Sequence, residues 1–329
     1  ELFERLRDGE GAVPPAREHV ETARLPRFLL ASAKETAAPV FVAREQELSR
    51  LTHSLDQALQ GTGRVVFVSG GPGEGKTALL TEFSRRAMNA HPDLLVAWGE
   101  CNAYAGAGDP YLPFRDVMGM LTGDLEARWL AGTIGRDHAR RLWNALPLVM
   151  STLLARGSSL IGVLLDGAAL LSRVAAALPD RTEWNDRLGA LTRRAQGGGE
   201  NLEQSFLFEQ CATVLQDVGE QHPLLLVLDD IQWADRASLG LLFYLGRRLA
   251  RAGSRILIAC AYRPEELALG RAGERHPLQR VLHEFRRAFG DVWVDLDVAD
   301  ETAGRGFVDA LLDAEPNQLG EDFRAALFH

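Results

Sequence analysis

The chain has 329 residues, 46% hydrophobic and 25% charged, enough apolar material for one large core or two smaller ones. A net charge of -9 and a pI near 5.5 argue against a surface that grips a nucleic-acid backbone, which takes clustered, unopposed Lys and Arg. The three cysteines, Cys101, Cys211 and Cys260, lie far apart without C-x-x-C spacing, so they read as buried thiols of a reducing, cytoplasmic compartment rather than zinc or redox ligands.

The first 30 residues are charged and interrupted by proline, unlike a secretory leader. Glu1 to Gly9 has helical spacing, and Gly11 to Pro39 is rich in Pro, Ala and charge. Residues 1–40 are therefore expected to be the end of a preceding helical domain plus a linker, and the start without methionine suggests a fragment. Phe41 to Leu59 carries Leu48, Leu51, Leu55 and Leu59 on one face, which predicts an amphipathic helix.

Arg64 to Ser69 follows, with the apolar run Val65-Val66-Phe67-Val68 of a buried strand. It leads into Gly70-Gly71-Pro72-Gly73-Glu74-Gly75-Lys76-Thr77, a complete G-x-x-x-x-G-K-[ST] loop before a helix predicted over Lys76 to Ala90. Glycines let successive backbone N–H groups turn inward toward phosphate oxygens, and the helix adds the positive end of its dipole. Gly71 through Ala78 are thus the candidate nucleotide-binding residues, with Lys76 for the β/γ-phosphates and Thr77 for Mg²⁺.

Leu94 to Gly99 reads as a second strand. From about 102 to 221 the periodicity turns helical between glycine-rich breaks. An insertion on the order of 100 residues is too long for a connection and suggests a lid or docking element. Its most apolar part, Leu160 to Leu178, is interrupted by Asp166 and Arg173, which predicts a buried helix pair broken at Gly167 rather than a membrane span. Leu202 to Val218 should bring the chain back to the sheet.

Leu224 to Leu228 then runs straight into Asp229-Asp230, as a central parallel strand with carboxylates at its C-terminal edge does. Ligands bind at that edge in open α/β sheets, so Asp229 is the candidate Mg²⁺ ligand and Asp230 the residue that orients the attacking water. Alternation resumes with a helix over Arg236 to Ala252, a strand over Arg255 to Tyr262, a helix over Pro277 to Phe289 and a strand over Asp291 to Val298. Glu301 to His329 reads as helical. The fold expected is α/β, a P-loop NTPase with a central parallel sheet flanked by helices: a core over 41–300 with its helical insertion, then the start of a helical lid over 301–329.

These motifs together resemble the STAND class of AAA+-like signal-transduction ATPases, especially the nucleotide-binding module of large LuxR-type and related multidomain bacterial regulators. The most specific piece is Leu224 to Asp235, LLLVLDDIQWAD, and the similarity spans roughly Phe41 to His329. Phe41-Val42-Ala43-Arg44-Glu45 is similar to the family segment that lines the adenine pocket, with Ala43 where the family has glycine. The resemblance therefore implies adenine contacts from Val42 and Arg44. It implies also that Arg263, just after a strand, senses the γ-phosphate; a salt bridge to Glu265 or Asp230 is the other reading. Trp233 and Asp235 read as a packed indole and a helix cap.

The function implied is an ATP-binding, slowly ATP-hydrolysing switch of a multidomain regulator, with ATP/ADP and Mg²⁺ as cofactors. Lys76, Asp229, Asp230 and Arg263 are its catalytic set. Other domains of the full-length protein are its expected partners, with self-association on activation. An ADP-holding scaffold and a defence-type relative stay open. A guanine-specific enzyme is disfavoured because the chain has no N-K-x-D tetrapeptide, and a nucleic-acid motor by its acidic charge.

Overall fold

A computed structural model describes residues 23–30, 44–103, 110–197, 203–250, 253–268, 276–290 and 292–297, with residues 312, 320, 323, 324 and 326. The expectations for 1–22 and for Val42 and Ala43 lie outside the described residues, as does nearly all of the predicted lid. A short helix α1 (Arg27–Leu30) precedes α2 (Glu45–Leu59), β1 (Arg64–Ser69), α3 (Lys76–Ala90) and β2 (Leu95–Glu100). The insertion contributes α4 (Leu112–Leu121), α5 (Glu126–Leu130), α6 (Arg136–Arg156), α7 (Gly167–Ala177), α8 (Thr182–Gln196) and α9 (Gln204–Gln221). Then come β3 (Leu224–Asp229), α10 (Arg236–Leu249), β4 (Ile256–Tyr262), α11 (Pro264–Ala268), α12 (Pro277–Phe289) and β5 (Trp293–Asp295).

The five strands form one sheet in the order β2-β3-β4-β1-β5, and every pair is parallel. Both faces are covered. Alternate residues of each strand point to opposite sides, so Val66, Val68, Val96, Leu225, Val227, Leu257 and Ala259 meet Leu48, Leu51 and Leu55 of α2 and Leu79, Leu80 and Phe83 of α3. The intervening Val65, Phe67, Leu95, Leu224, Leu226 and Ile258 face a larger apolar layer that includes α10, α12 and the insertion. The result is the expected α/β architecture, three layers with a helical insertion between β2 and β3.

The insertion is bound to the sheet. His138 on α6 contacts the backbone oxygen of Val96 through Nε2 at 2.7 Å, and Arg141 donates to His91 O at 3.0 Å. Burial pushes the His138 imidazole below its ordinary pKa, and because a carbonyl oxygen can only accept, Nε2 carries the hydrogen toward Val96 O.

Three expectations need correction. Leu160 to Leu178 is not a helix pair: a 3₁₀ turn at Ser158–Leu160 and a bridge from Ile161 to Leu165 precede a single helix, α7. Gly162 at φ 92° turns the chain, and the Asp166 carboxylate accepts Ala168 N and Ala169 N to start α7 one residue later. The last strand is only three residues, because the Asp295 carboxylate turns back to accept Asp297 N at 3.1 Å and Ser69 Oγ at 3.3 Å. Finally, α11 was not anticipated.

Candidate nucleotide site

The phosphate loop joins β1 to α3 at the C-terminal edge of the sheet. Gly73 and Gly75 have φ of 82° and 84°, left-handed values that favour glycine, and a Cβ at either would meet nothing within 4 Å. Their requirement is conformational rather than steric. Lys76 is buried and donates Nζ to Gly70 O at 2.9 Å and Gly71 O at 2.7 Å. Burial, and next the Arg263 charge, lower its pKa. Pro72, Gly73, Gly75, Thr77 and Ala78 are exposed on the outer side of the loop.

The loop's second amide already faces carboxylates. Gly71 N donates to Glu74 Oε2 at 2.7 Å and to Asp297 Oδ1 at 3.1 Å. The hydrogen bond between Glu74 and Asp297, then burial, raises the Glu74 pKa. Arg44 approaches the same segment, donating Nη1 to Leu296 O at 3.1 Å and pairing with Glu47 at 2.9 Å.

β3 brings Asp229 to the loop across the sheet. Thr77 Oγ1 donates to Asp229 Oδ2 at 2.6 Å, and Asp230 N donates to Oδ1 at 2.9 Å. Burial raises the Asp229 pKa more than the Thr77 hydroxyl lowers it. A hydroxyl and a carboxylate oxygen, close together and at the cost of a buried charge, are hard donors that suit Mg²⁺. Asp230 adopts φ 52°. Aspartate tolerates this left-handed conformation better than most residues, and it turns the chain out of the strand.

β4 lies between β3 and β1, so Arg263, the next residue, falls between the acids and the loop. Its Nη2 donates to Asp230 Oδ2 at 3.2 Å, and its Nε is buried with no hydrogen-bond partner among the described residues. Of the two ion pairs weighed for Arg263, the one with Asp230 forms. Sequence reasoning missed Gln232, only 2% exposed, whose side chain touches both residues. Being polar and next to the acid pair was its only signal. Trp233 packs partly buried against the core, and Asp235 caps α10 by accepting Ala237 N and Ser238 N at 2.8 and 3.0 Å. The same carboxylate accepts Tyr111 N at 3.1 Å and Ser238 Oγ, which ties α4 to this edge.

No helix among the described residues is long and apolar enough to cross a membrane. All three cysteines are buried and free.

No curated protein matches the chain. Among solved structures it is similar to Cdc6p from Pyrobaculum aerophilum, at 13% identity and a TM-score of 0.45, covering 94% of this chain and 59% of that one. The chain thus spans 59% of that protein's length. The bacterial conjugative coupling protein TrwB also matches, at 13% identity and a TM-score of 0.21, over 78% of this chain and 71% of that one. The family model for the AAA ATPase domain matches residues 40–258, a stretch that holds the phosphate loop and both acids and ends just before Arg263. Since that match takes in more than half of the residues, the chain belongs to the AAA ATPase domain family.

Proposed function

We propose that this chain is an ATP-driven switch of the STAND type, which binds ATP, hydrolyses it slowly and passes its nucleotide state to neighbouring domains. One observation carries the reading. The loop lysine, the Thr77–Asp229 pair at 2.6 Å and the Arg263–Asp230 pair at 3.2 Å converge at one sheet edge from three separate strands. Backbone amides of the loop and the Lys76 ammonium would hold phosphate oxygens, in a site built to receive negative charge. Thr77 and Asp229 would hold Mg²⁺, which supplies further charge neutralisation when bound. Asp230 orients the attacking water, and Arg263 offers its planar fork to the γ-phosphate. Arg44, with Val42, is the adenine-side contact.

Loss of the γ-phosphate takes away a partner of Arg263, and the consequent rearrangement is the output. Its receivers are the other domains of a larger regulator, with transcriptional control as the role and self-association as a step in activation. An ADP-holding scaffold would use the same loop without turnover.

The test is to denature the purified chain, identify the released nucleotide by chromatography, and compare Mg-ATP binding and turnover with those of Lys76→Ala. Bound adenine nucleotide, phosphate release by the parent, and affinity weakened at least about tenfold (~1.4 kcal/mol) in the variant are expected. Equal ATP affinity in the two proteins would overturn the loop assignment. Stoichiometric ADP with no phosphate release would favour the scaffold.

A further inference from the structure

Gln232 lies in a 3₁₀ turn, Ile231–Trp233, directly after Asp230. Its Nε2 donates to Asp230 Oδ1 at 2.9 Å and its Oε1 accepts Arg263 N at 3.2 Å. The orientation of the amide is forced by its surroundings. A backbone N–H can only donate, so the atom facing Arg263 N is the oxygen; the NH₂ then faces a carboxylate, which accepts. With Arg263 Nη2 on Asp230 Oδ2, the three residues close a ring that joins the end of β3 to the end of β4.

The two partners of Asp230 differ in kind. Arg263 is a cation that phosphate oxygens attract, and its buried Nε has no partner in the ring. Gln232 is a neutral amide, held at its other end by backbone. An arriving γ-phosphate therefore competes for Arg263 and leaves Gln232 in place.

We propose that Gln232 is a positioning residue for ATP hydrolysis, holding Asp230 in its working orientation when the γ-phosphate draws Arg263 away. This rests on the ATPase reading above. Arg263 covers Oδ2 through its hydrogen bond, and a γ-phosphate that draws the guanidinium away would uncover it. Freed Oδ2 accepts a proton from water as the water oxygen bonds to the γ-phosphorus. The bridging P–O bond breaks, its electron pair leaves with ADP, and the proton passes on to solvent. Through the transfer, Oδ1 stays on Gln232.

The experiment compares the parent with Gln232→Leu and Gln232→Glu. Leucine removes both hydrogen bonds at similar size. Glutamate keeps the acceptor for Arg263 N but sets a second carboxylate against Asp230. Folding is checked by thermal melt, ADP and ATP affinity by titration, and kcat and KM by phosphate release. Expected is a fall in kcat of about ten- to hundredfold in both variants, with KM and ADP affinity within about twofold of the parent. A residue that only stabilises the fold would lower the melting temperature and leave kcat of the folded fraction intact, and that outcome in either folded variant overturns the proposal. Glutamate preserves one bond and nearly the whole shape, so it serves if the leucine variant fails to fold. A parent without turnover overturns the ATPase reading and this role together, whereas a turning-over parent matched by its variants overturns this role alone.

Discussion

At the scale of single residues the site carries a cost. Asp229 is buried beside Asp230, and burial raises its pKa above the ordinary carboxylate value. The folded chain therefore holds the Asp229 proton more tightly than the unfolded chain does. This contribution favours folding fully below the unfolded pKa near 4 and is lost as pH rises through the raised folded value. Above that raised value the cost of burying the ionised carboxylate opposes the fold. Asp229→Asn should therefore stabilise the nucleotide-free chain at pH 7 by about 0.5–2 kcal/mol, in thermal or urea unfolding, and flatten the pH dependence just above pH 4. The gain should vanish on adding Mg-ATP, which stabilises the parent alone. A variant less stable than the parent at pH 7 would count against this account. Lys76, Thr77, Asp229 and Asp230 were legible from sequence because their signature is local: a glycine loop after one apolar run and acids at the end of another. Gln232 and Asp297 were not. Their partners, Arg263 N and Gly71 N, come from other strands, so only the sheet brings them together.

At the scale of elements the helix boundaries were clearest where local chemistry marks them. Helix α12 was readable because Pro277 opens it after the His276 cap and Gly290, at φ 73°, closes it. Helix α11 is five residues long, too short for a periodic signal. Strand β2 was readable as apolar, but nothing in its sequence announced how closely α4 lies on it. A Cβ on Gly99 would stand 2.9 Å from Pro113 Cα and nearer still to the Pro113 carbonyl. These are backbone atoms that cannot turn aside. Gly99→Ala should accordingly cost about 1–3 kcal/mol, measured by chemical denaturation, by pushing α4 off the sheet. Unchanged stability would mean that α4 is not seated where described. By contrast, Gly219 faces only the side chain of Ile256, which can give.

At the scale of the whole molecule the segment before the ATPase core is fastened to the insertion rather than to the sheet. Arg24 N donates to Ala177 O at 2.8 Å, and Trp143 Nε1 donates to Arg24 O at 3.0 Å. Phe28 packs edge-on against the Trp143 ring and tilted against Trp129. A linker was expected here, and Pro, Ala and charge gave no hint that it would be anchored, because its binding partners lie more than a hundred residues downstream. Trp143→Phe keeps the ring packing but removes the donor to Arg24 O. Trypsin cleavage after Arg24 and Arg27 should then speed up several-fold, in line with about 1 kcal/mol of local stability, while the global melting temperature moves little. Cleavage at the parent rate would show that the anchor does not depend on the indole.

The place of the insertion in the sheet order has a consequence for how such a molecule can diversify. It leaves the sheet after β2, the outermost strand, and returns at β3, so both of its ends lie at the rim. Lengthening a connection there adds closure entropy only logarithmically, and the strands that flank the phosphate loop, β4 and β5, are untouched. The phosphate loop and those helices of the insertion that lie away from α4 are thus separately editable. New recognition surfaces can be written into the periphery over evolutionary time, or grafted there by an engineer, without renegotiating the contacts around the phosphate loop.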